Sequence, residues 1–154
     1  NIAIPMNKIV IVNKGHAAVG KSSSIKQVYE KLKTLYPSAV TDIKKDGDIT
    51  ATIDINGVLV GIESQGDPNS RMFATLPDLV KRGCQIIVCA CRTSGATKQR
   101  VADLRKDGFD IIWTTNPRNP NLADELNTMW ADMVTEIIVR KVNDMISHAD
   151  DFSH

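Results

Sequence analysis

Residues 15–22, with the sequence GHAAVGKS, constrain the fold of this chain more than any other segment. They match the pattern G-x-x-x-x-G-K-[ST] and directly follow Lys8–Asn13, a β-branched run typical of a buried strand. They directly precede Ser23–Leu35, in which apolar residues recur along one face of a helix. In such a strand–loop–helix unit, glycines let backbone N–H groups surround a phosphate, and the helix N-terminus adds its positive dipole end. The segment therefore predicts a phosphate-binding loop.

The rest of the chain alternates strand-like and helical segments, with a hairpin signal at Asn56-Gly57. Further strands are predicted at Ile49–Ile55, Val58–Ile62, Cys84–Cys91 and Phe109–Thr114. Further helices are predicted from Asp67 as N-cap and Pro68 to Gly83, from Thr93 or Ser94 through Lys106, and from Asn119, Pro120 or Asn121 to about Ser147. Between the first helix and the hairpin, Ser38–Asp48 is predicted to be a polar connection.

The resulting order, β α β β α β α β α, determines the expected fold class. It predicts a three-layer α/β fold whose mostly parallel sheet has helices on both faces and one antiparallel hairpin strand. No repeat, low-complexity segment or linker divides the chain. We expect a single nucleotide-binding domain over residues 6–154, with residues 1–5 non-native or disordered.

Composition excludes several classes of protein. The net charge is +1 and aromatic residues make up 5% of the chain, a balance that does not support nucleic-acid binding. No apolar run approaches the ~18–20 residues that span a bilayer, and no signal-peptide pattern is present. Cys84, Cys89 and Cys91 lie in one apolar stretch and are expected to be buried, reduced thiols. We therefore expect a cytoplasmic protein with no membrane partner.

On this motif and its strand–loop–helix frame, the chain resembles the P-loop NTPase superfamily, with a small-GTPase-like or small-kinase-like topology. The resemblance implies that Lys21 reaches the β- and γ-phosphates of a nucleoside triphosphate and that the Ser22 hydroxyl holds Mg²⁺. His16 is expected to face solvent. The residues expected to surround the nucleotide, ATP or GTP, are Gly15, His16, Ala17, Ala18, Val19, Gly20, Lys21, Ser22 and Ser23.

The segment Glu63-Ser-Gln-Gly66 resembles a second element of that superfamily, in which an acidic residue ends an apolar strand. The resemblance implies that Glu63 orders Mg²⁺ together with Ser22. It also implies that Gly66 gives a backbone N–H to the γ-phosphate and that Asp67 orients the attacking water. Two simpler interpretations stay open: Glu63 lies in a solvated turn, and Asp67 only caps the next helix.

Arginines follow several of the predicted strands, where open α/β sheets bind their ligands. Of Arg71, Arg92 and Arg118, Arg92 is the best candidate for stabilising phosphate charge, because it directly follows the apolar strand Cys84–Cys91. The guanine-reading pattern Asn-Lys-x-Asp is absent at the end of the last strand. Adenine is therefore the expected base.

We expect an enzyme that hydrolyses a nucleoside triphosphate with Mg²⁺, using Lys21, Glu63, Asp67 and Arg92 as catalytic residues. A small nucleotide or metabolite kinase and a slow nucleotide-dependent switch are the alternatives. The last helix is long enough to serve a protein partner or a second copy of the chain. Its apolar stripe comprises Leu122, Leu126, Met129, Trp130, Met133, Ile137, Met145 and Ile146.

Overall fold

Strands and helices alternate along the chain in a computed structural model that describes residues 7–16 and 20–153, with side chains up to residue 149. The strands are β1 (Lys8–Lys14), β2 (Val40–Lys45), β3 (Ile49–Ile55), β4 (Val58–Glu63), β5 (Ile86–Cys91) and β6 (Phe109–Thr114). The helices are α1 (Lys21–Leu35), α2 (Met72–Lys81), α3 (Ala96–Ala102) and α4 (Ala123–Ser153). A 3-10 helix, Asp103–Asp107, continues α3.

The six strands form one mixed sheet in the order β2-β3-β4-β5-β1-β6. The pairings β4 with β5, β5 with β1 and β1 with β6 are parallel. Only β3 runs in the opposite direction, antiparallel to both β2 and β4. The predicted α/β class, with a mostly parallel sheet and one antiparallel hairpin strand, is confirmed.

The two faces of the sheet bury separate apolar clusters. Along β1, Ile9 and Ile11 contact the cluster that includes α1 and α4, whereas Val10 and Val12 contact the cluster that includes α2 and α3. This alternation follows from the two-residue period of a strand, and it places helices on both faces. All six residues of β5 are buried, as expected for a central parallel strand.

The prediction of a polar connection over Ser38–Asp48 is wrong, because Val40–Lys45 forms β2 at the edge of the sheet. Its side chains are half-buried or exposed, and Ile43 packs at the border of the apolar core. An edge strand with polar side chains discourages pairing with other chains. Because most of its side chains are polar, this strand lacks the apolar alternation by which strands are predicted from sequence.

The predicted start of α2 at Asp67 and Pro68 is also wrong. Residues 67–70 form a turn in which the Ser70 N–H donates to the Asp67 carbonyl at 3.2 Å. Asn69 has a left-handed backbone with φ of 60°, and this conformation is incompatible with a right-handed helix. The helix begins at Met72, so Asp67 does not cap it.

The other helix boundaries shift for local reasons. Helix α1 begins at Lys21, two residues before the predicted start, and α3 begins after Gly95, whose φ is 86°. Helix α4 begins at Ala123, because the Asn119 side chain accepts from the Asn121 N–H at 2.9 Å in a local turn. Of the predicted stripe on α4, Trp130 and Met145 are buried, whereas Leu122, Met129 and Met133 are exposed.

The three cysteines are free and buried, as predicted. Burial raises the pKa of the Cys84 thiol and that of the Cys91 thiol to about 11 in each case. Within the part of the chain that the structure describes, no helix has both the length and the apolar character to cross a bilayer.

Candidate functional site

One edge of the sheet gathers the loops that follow the parallel strands. Gly15 comes after β1, Ser64–Asp67 after β4 and Arg92 after β5. Because β3 is antiparallel, its first residues lie at the same edge, beside the end of β4: Ile49 N donates to Ser64 Oγ at 2.8 Å. The turn before β3 therefore joins the site, which the order of elements alone does not indicate.

The ends of the predicted phosphate loop are fixed by contacts with β5. Gly15 N donates to the Cys91 carbonyl at 3.0 Å, and Lys21 Nζ donates to the carbonyls of Gly15 and Cys91 at 2.6 and 3.3 Å. Lys21 is the first residue of α1, and Gly20 precedes it with φ of 81°. His16 is exposed, as predicted, whereas Ala17, Ala18 and Val19 lie outside the described residues.

Lys21 is the buried cation of the site, with 6% of its surface exposed. Burial lowers the pKa of its ammonium, and the negative charge of Asp67 partly opposes that effect. Among the described residues, the hydrogen-bond acceptors of this buried ammonium are neutral carbonyl oxygens, and no carboxylate contacts it directly. Such a group is suited to receive an anion.

A buried amide network supports the loop from the other side. Asn116 accepts from Asn13 Nδ2 at 3.2 Å and from Ser24 Oγ at 3.1 Å, and its own amide donates to Asn127 of α4. A Cβ atom at Gly20 would lie 2.6 Å from Asn127 Oδ1. The network therefore couples the docking of α4 to the position of the phosphate loop.

Ser22 faces a carboxylate that the sequence did not single out. Ser22 Oγ donates to Asp48 Oδ1 at 2.5 Å, and Ser64 Oγ donates to the same oxygen at 2.7 Å. Burial acts to raise the pKa of Asp48, but hydrogen bonds from Ser22, Ser64 and Gln65 outweigh it and hold the pKa below its usual range. Asp48 is therefore an anion beside the motif serine.

Glu63 lies within a dense set of contacts that involve the hairpin and α2. Its Oε1 accepts from Thr50 Oγ1 at 2.9 Å and Thr75 Oγ1 at 2.6 Å, and its Oε2 accepts from Gln65 N at 3.1 Å. Arg71 Nε donates to Glu63 Oε1 at 3.2 Å. With no exposed surface, Glu63 is not in the solvated turn of the simpler interpretation.

Asp67 and Arg92 meet across the mouth of the site. Arg92 Nε donates to Asp67 Oδ1 at 3.1 Å, and both side chains are partly exposed. Lys21 and Asp67 line the same cavity, and Lys21 Nζ donates to the carbonyl of Cys91, the residue before Arg92. The structure thus brings together three of the predicted catalytic residues, Lys21, Asp67 and Arg92. Ser23 is exposed beside them.

Two cavities open at this edge. The larger, of about 580 Å³, extends from Gly20 and Ser22 past Asp48 and along α1 as far as Glu30. The smaller, of about 270 Å³, lies on the other side of Gly20 against the loop that carries Pro117, Arg118 and Pro120. Arg118 lines the smaller cavity, whereas Arg71 is occupied by Glu63 and Asp46.

Sequence reasoning missed Asp48 and Asn127. The hairpin register could have indicated Asp48, because Thr50 lies opposite Glu63 and the preceding turn must then lie near Ser64. No local signal indicates Asn127, whose position depends on how α4 packs against α1.

Comparison with known proteins adds no family assignment: no family model matches the chain, and no curated protein or solved structure shows significant similarity to it.

Proposed function

We propose that this protein binds a nucleoside triphosphate with Mg²⁺ and hydrolyses it. One observation carries the proposal: the complete G-x-x-x-x-G-K-S motif places the buried ammonium of Lys21 and the hydroxyl of Ser22 at the start of α1, beside a cavity of about 580 Å³. A helix N-terminus, a desolvated cation and a cavity lined by lysine and serine side chains together favour a polyphosphate.

Lys21 has a defined task in this proposal. Its ammonium is held by two backbone carbonyls, and a phosphate oxygen would give it the negative partner that it lacks. The backbone N–H groups at the start of α1 supply further donors. Because these groups are fixed by the fold, little reorganisation opposes the binding of charge.

The donor set at Ser22 fits a hard divalent cation. Mg²⁺ prefers oxygen ligands and keeps several waters, and a hydroxyl beside a carboxylate supplies the oxygen chemistry that it needs. When bound, Mg²⁺ neutralises charge on the β- and γ-phosphates. Among the described residues no cluster of three or more His, Cys, Asp or Glu side chains could hold a metal alone, which agrees with a cation that arrives with the nucleotide.

The smaller cavity suits the base of the nucleotide. It adjoins Gly20 and is lined by prolines and Arg118, which offer flat apolar surface and a planar guanidinium. ATP is the expected nucleotide, since the chain lacks the guanine-reading pattern.

Phosphoryl transfer to a small acceptor is a second candidate function. The larger cavity continues beyond Ser22 along α1, where it is lined by Lys26, Gln27 and Glu30. This extension offers donors and acceptors of both charges to a second molecule. Phosphate release from ATP alone favours hydrolysis, whereas ATP consumption only with an added acceptor favours transfer. Tight binding with neither indicates a switch.

Replacement of Lys21 tests the proposed binding. We expect Lys21→Met to weaken ATP binding by about 10- to 100-fold, since a hydrogen bond to a charged group contributes about 1.5–3 kcal/mol. Methionine keeps most of the apolar stem of the lysine side chain, so the packing of α1 should change little. Titration calorimetry well below the melting temperature measures binding to the folded protein.

The matched control is Lys33→Met, a substitution at the far end of α1, where Lys33 contacts the backbone of the next loop. It should leave ATP affinity unchanged. Parental affinity in the Lys21 variant would contradict the phosphate-loop interpretation.

A further inference from the structure

We propose that Asp48 is the carboxylate that orders the divalent cation at Ser22, a role that the sequence pattern gives to Glu63. The inference rests on the proposed function and assigns its metal chemistry to a residue from the turn between β2 and β3. It makes Asp48 a positioning residue for the cation, acting through the Ser22 hydroxyl and through water.

The hydrogen bond between Ser22 and Asp48 leaves the serine oxygen ready for a metal. A hydroxyl has one proton and two lone pairs. Ser22 Oγ donates its proton to Asp48 Oδ1 at 2.5 Å, so both lone pairs of the serine oxygen stay available to a cation. Groups that bond to metal ligands in this way orient the ligand and raise its basicity.

Asp48 is held in place by the antiparallel strand that follows it. Ser64 Oγ donates to Asp48, while Ile49 N donates to Ser64 Oγ at 2.8 Å and Ser64 N donates to the Ile49 carbonyl at 3.0 Å. These contacts fix the start of β3 against the end of β4. These contacts therefore hold the Asp48 carboxylate in its position beside Ser22.

Three other carboxylates near Asp48 are engaged with arginines. Glu63 and Asp46 both pair with Arg71, and Asp67 pairs with Arg92. Asp48 instead accepts hydrogen bonds from hydroxyls, while Lys26, whose charge also acts on Asp48, donates to the carbonyl of the neighbouring Gly47. A carboxylate whose described hydrogen-bond donors are neutral keeps most of its charge available for an incoming cation.

The test compares ATP affinity with and without metal in the full-length protein, by titration calorimetry with MgCl₂ or with EDTA. We expect Asp48→Asn to reduce the Mg²⁺-dependent gain in affinity by about 10-fold or more, the usual effect of removing such a partner. Metal-free ATP should bind this variant at least as well as it binds the parent, because a negative charge near the phosphates is gone. Asparagine has nearly the same shape and can still accept from Ser22.

A second measurement follows the cation itself. With Mn²⁺ as the probe, the paramagnetic resonance signal of free Mn²⁺ reports how much metal the protein and ATP hold together. Asp54→Asn is the matched control, since Asp54 lies near the other end of β3, is exposed and accepts from Gly57 N at 2.9 Å. This variant should match the parent in both measurements.

Each outcome decides the inference. If Asp48→Asn shows the same Mg²⁺-dependent gain in ATP affinity as the parent protein, the role of Asp48 is overturned. The same holds if Glu63→Gln loses this gain and Asp48→Asn does not. Both results leave the proposed nucleotide binding intact. If the parent protein binds ATP equally well with MgCl₂ and with EDTA, the role of Asp48 is also overturned. If the parent protein binds neither ATP nor GTP under any condition, the proposed function and this inference fail together.

Discussion

At the scale of single residues, Arg92 is the predicted source of charge stabilisation for the phosphates of the proposed nucleotide. It directly follows β5, and its Nε is 3.1 Å from Asp67 Oδ1 at the mouth of the site. Its backbone N–H donates to Thr97 Oγ1 at 2.9 Å, which fixes the chain there. In the proposed function, an incoming phosphate would compete with Asp67 for this guanidinium.

Two substitutions of Arg92 separate charge from geometry. Arg92→Lys keeps the charge but loses the planar fork, so turnover should fall by about 10-fold or more while ATP affinity changes little. Arg92→Ala should lower both, and initial rates with calorimetry measure the difference. Arg82→Ala is the control, because Arg82 forms comparable surface pairs with Asp42 and Asp78. If both Arg92 variants turn over normally, the guanidinium serves only its pair with Asp67.

At the residue scale, the motif predicts where two side chains lie along the chain. It predicts that Lys21 and Ser22 lie between a strand and a helix, and the structure places them after β1 in the first turn of α1, which begins two residues before its predicted start. The surroundings of Glu63 could not be predicted, because its partners Thr50, Arg71 and Thr75 come from three different segments of the chain. The position of Glu63 at the end of β4 follows from the local sequence, whereas its hydrogen bonds depend on how distant segments pack together.

At the scale of elements, Gly66 marks a close crossing between the loop after β4 and the strand β5. A Cβ atom at Gly66 would lie 2.4 Å from the carbonyl carbon of Ala90 and 2.5 Å from its oxygen. These are backbone atoms of a buried central strand, which cannot move aside cheaply. The glycine that the resemblance assigns to the γ-phosphate thus has a packing reason of its own.

Gly66→Ala should therefore destabilise the fold by about 1–3 kcal/mol, the usual cost of forcing extra volume into a packed site. Chemical denaturation with urea measures the change in the free energy of unfolding. Gly47→Ala is a useful contrast: its φ is 91°, and a Cβ there would meet nothing within 4 Å, so it tests backbone strain without a clash. A Gly66 variant as stable as the parent would show that the loop can move away from Ala90.

Element boundaries were predictable where side-chain chemistry is local. The hairpin strand β3 and the last strand β6 match their predicted limits, since Asn56-Gly57 identifies the first and a short run rich in β-branched and aromatic residues identifies the second. The start of α2 was not predictable from Asp67-Pro68, because Asn69 adopts a left-handed conformation. Asparagine can adopt this conformation, but its presence in a sequence does not require it. Strand β2 escaped prediction because edge strands need little apolar surface.

At the scale of the whole molecule, the site and the fold stabilise each other. The phosphate loop touches β5 through Lys21 and α4 through the contact of Gly20 with Asn127. A ligand that binds Gly20 and Lys21 should therefore stabilise the complete domain against unfolding.

Mg²⁺ with ATP at 100 times its dissociation constant should stabilise the folded state by about 2.7 kcal/mol. For a chain of this size, that corresponds to a rise in melting temperature of about 5–10 °C. Differential scanning fluorimetry with ATP, GTP and their diphosphates measures the shift, and Lys21→Met should lose most of it. An unchanged melting temperature at millimolar concentrations of every nucleotide would contradict the proposed function.

The fold class was predictable because alternating strand and helix patterns leave few arrangements. The order of strands was not, since nothing local places β5 between β1 and β4. Helix α4 shows a similar limit: its apolar stripe was visible, but the division between Trp130 inside and Met129 and Met133 outside depends on packing against α1 and the sheet. An outward role for α4 stays a prediction.

That strand order also governs when during folding the ends of the predicted phosphate loop, Gly15 and Lys21, can bond to β5. The hairpin of β3 and β4 joins neighbouring residues and can close within microseconds. By contrast, Lys21 is held by the carbonyl of a residue 70 positions later, and Asn13 bonds to Asn116, 103 positions later. Contacts of such long range form late and slow the folding of a domain. A fragment that stops before Ile86 would carry the whole glycine motif and still lack the strand to which Gly15 and Lys21 are hydrogen-bonded.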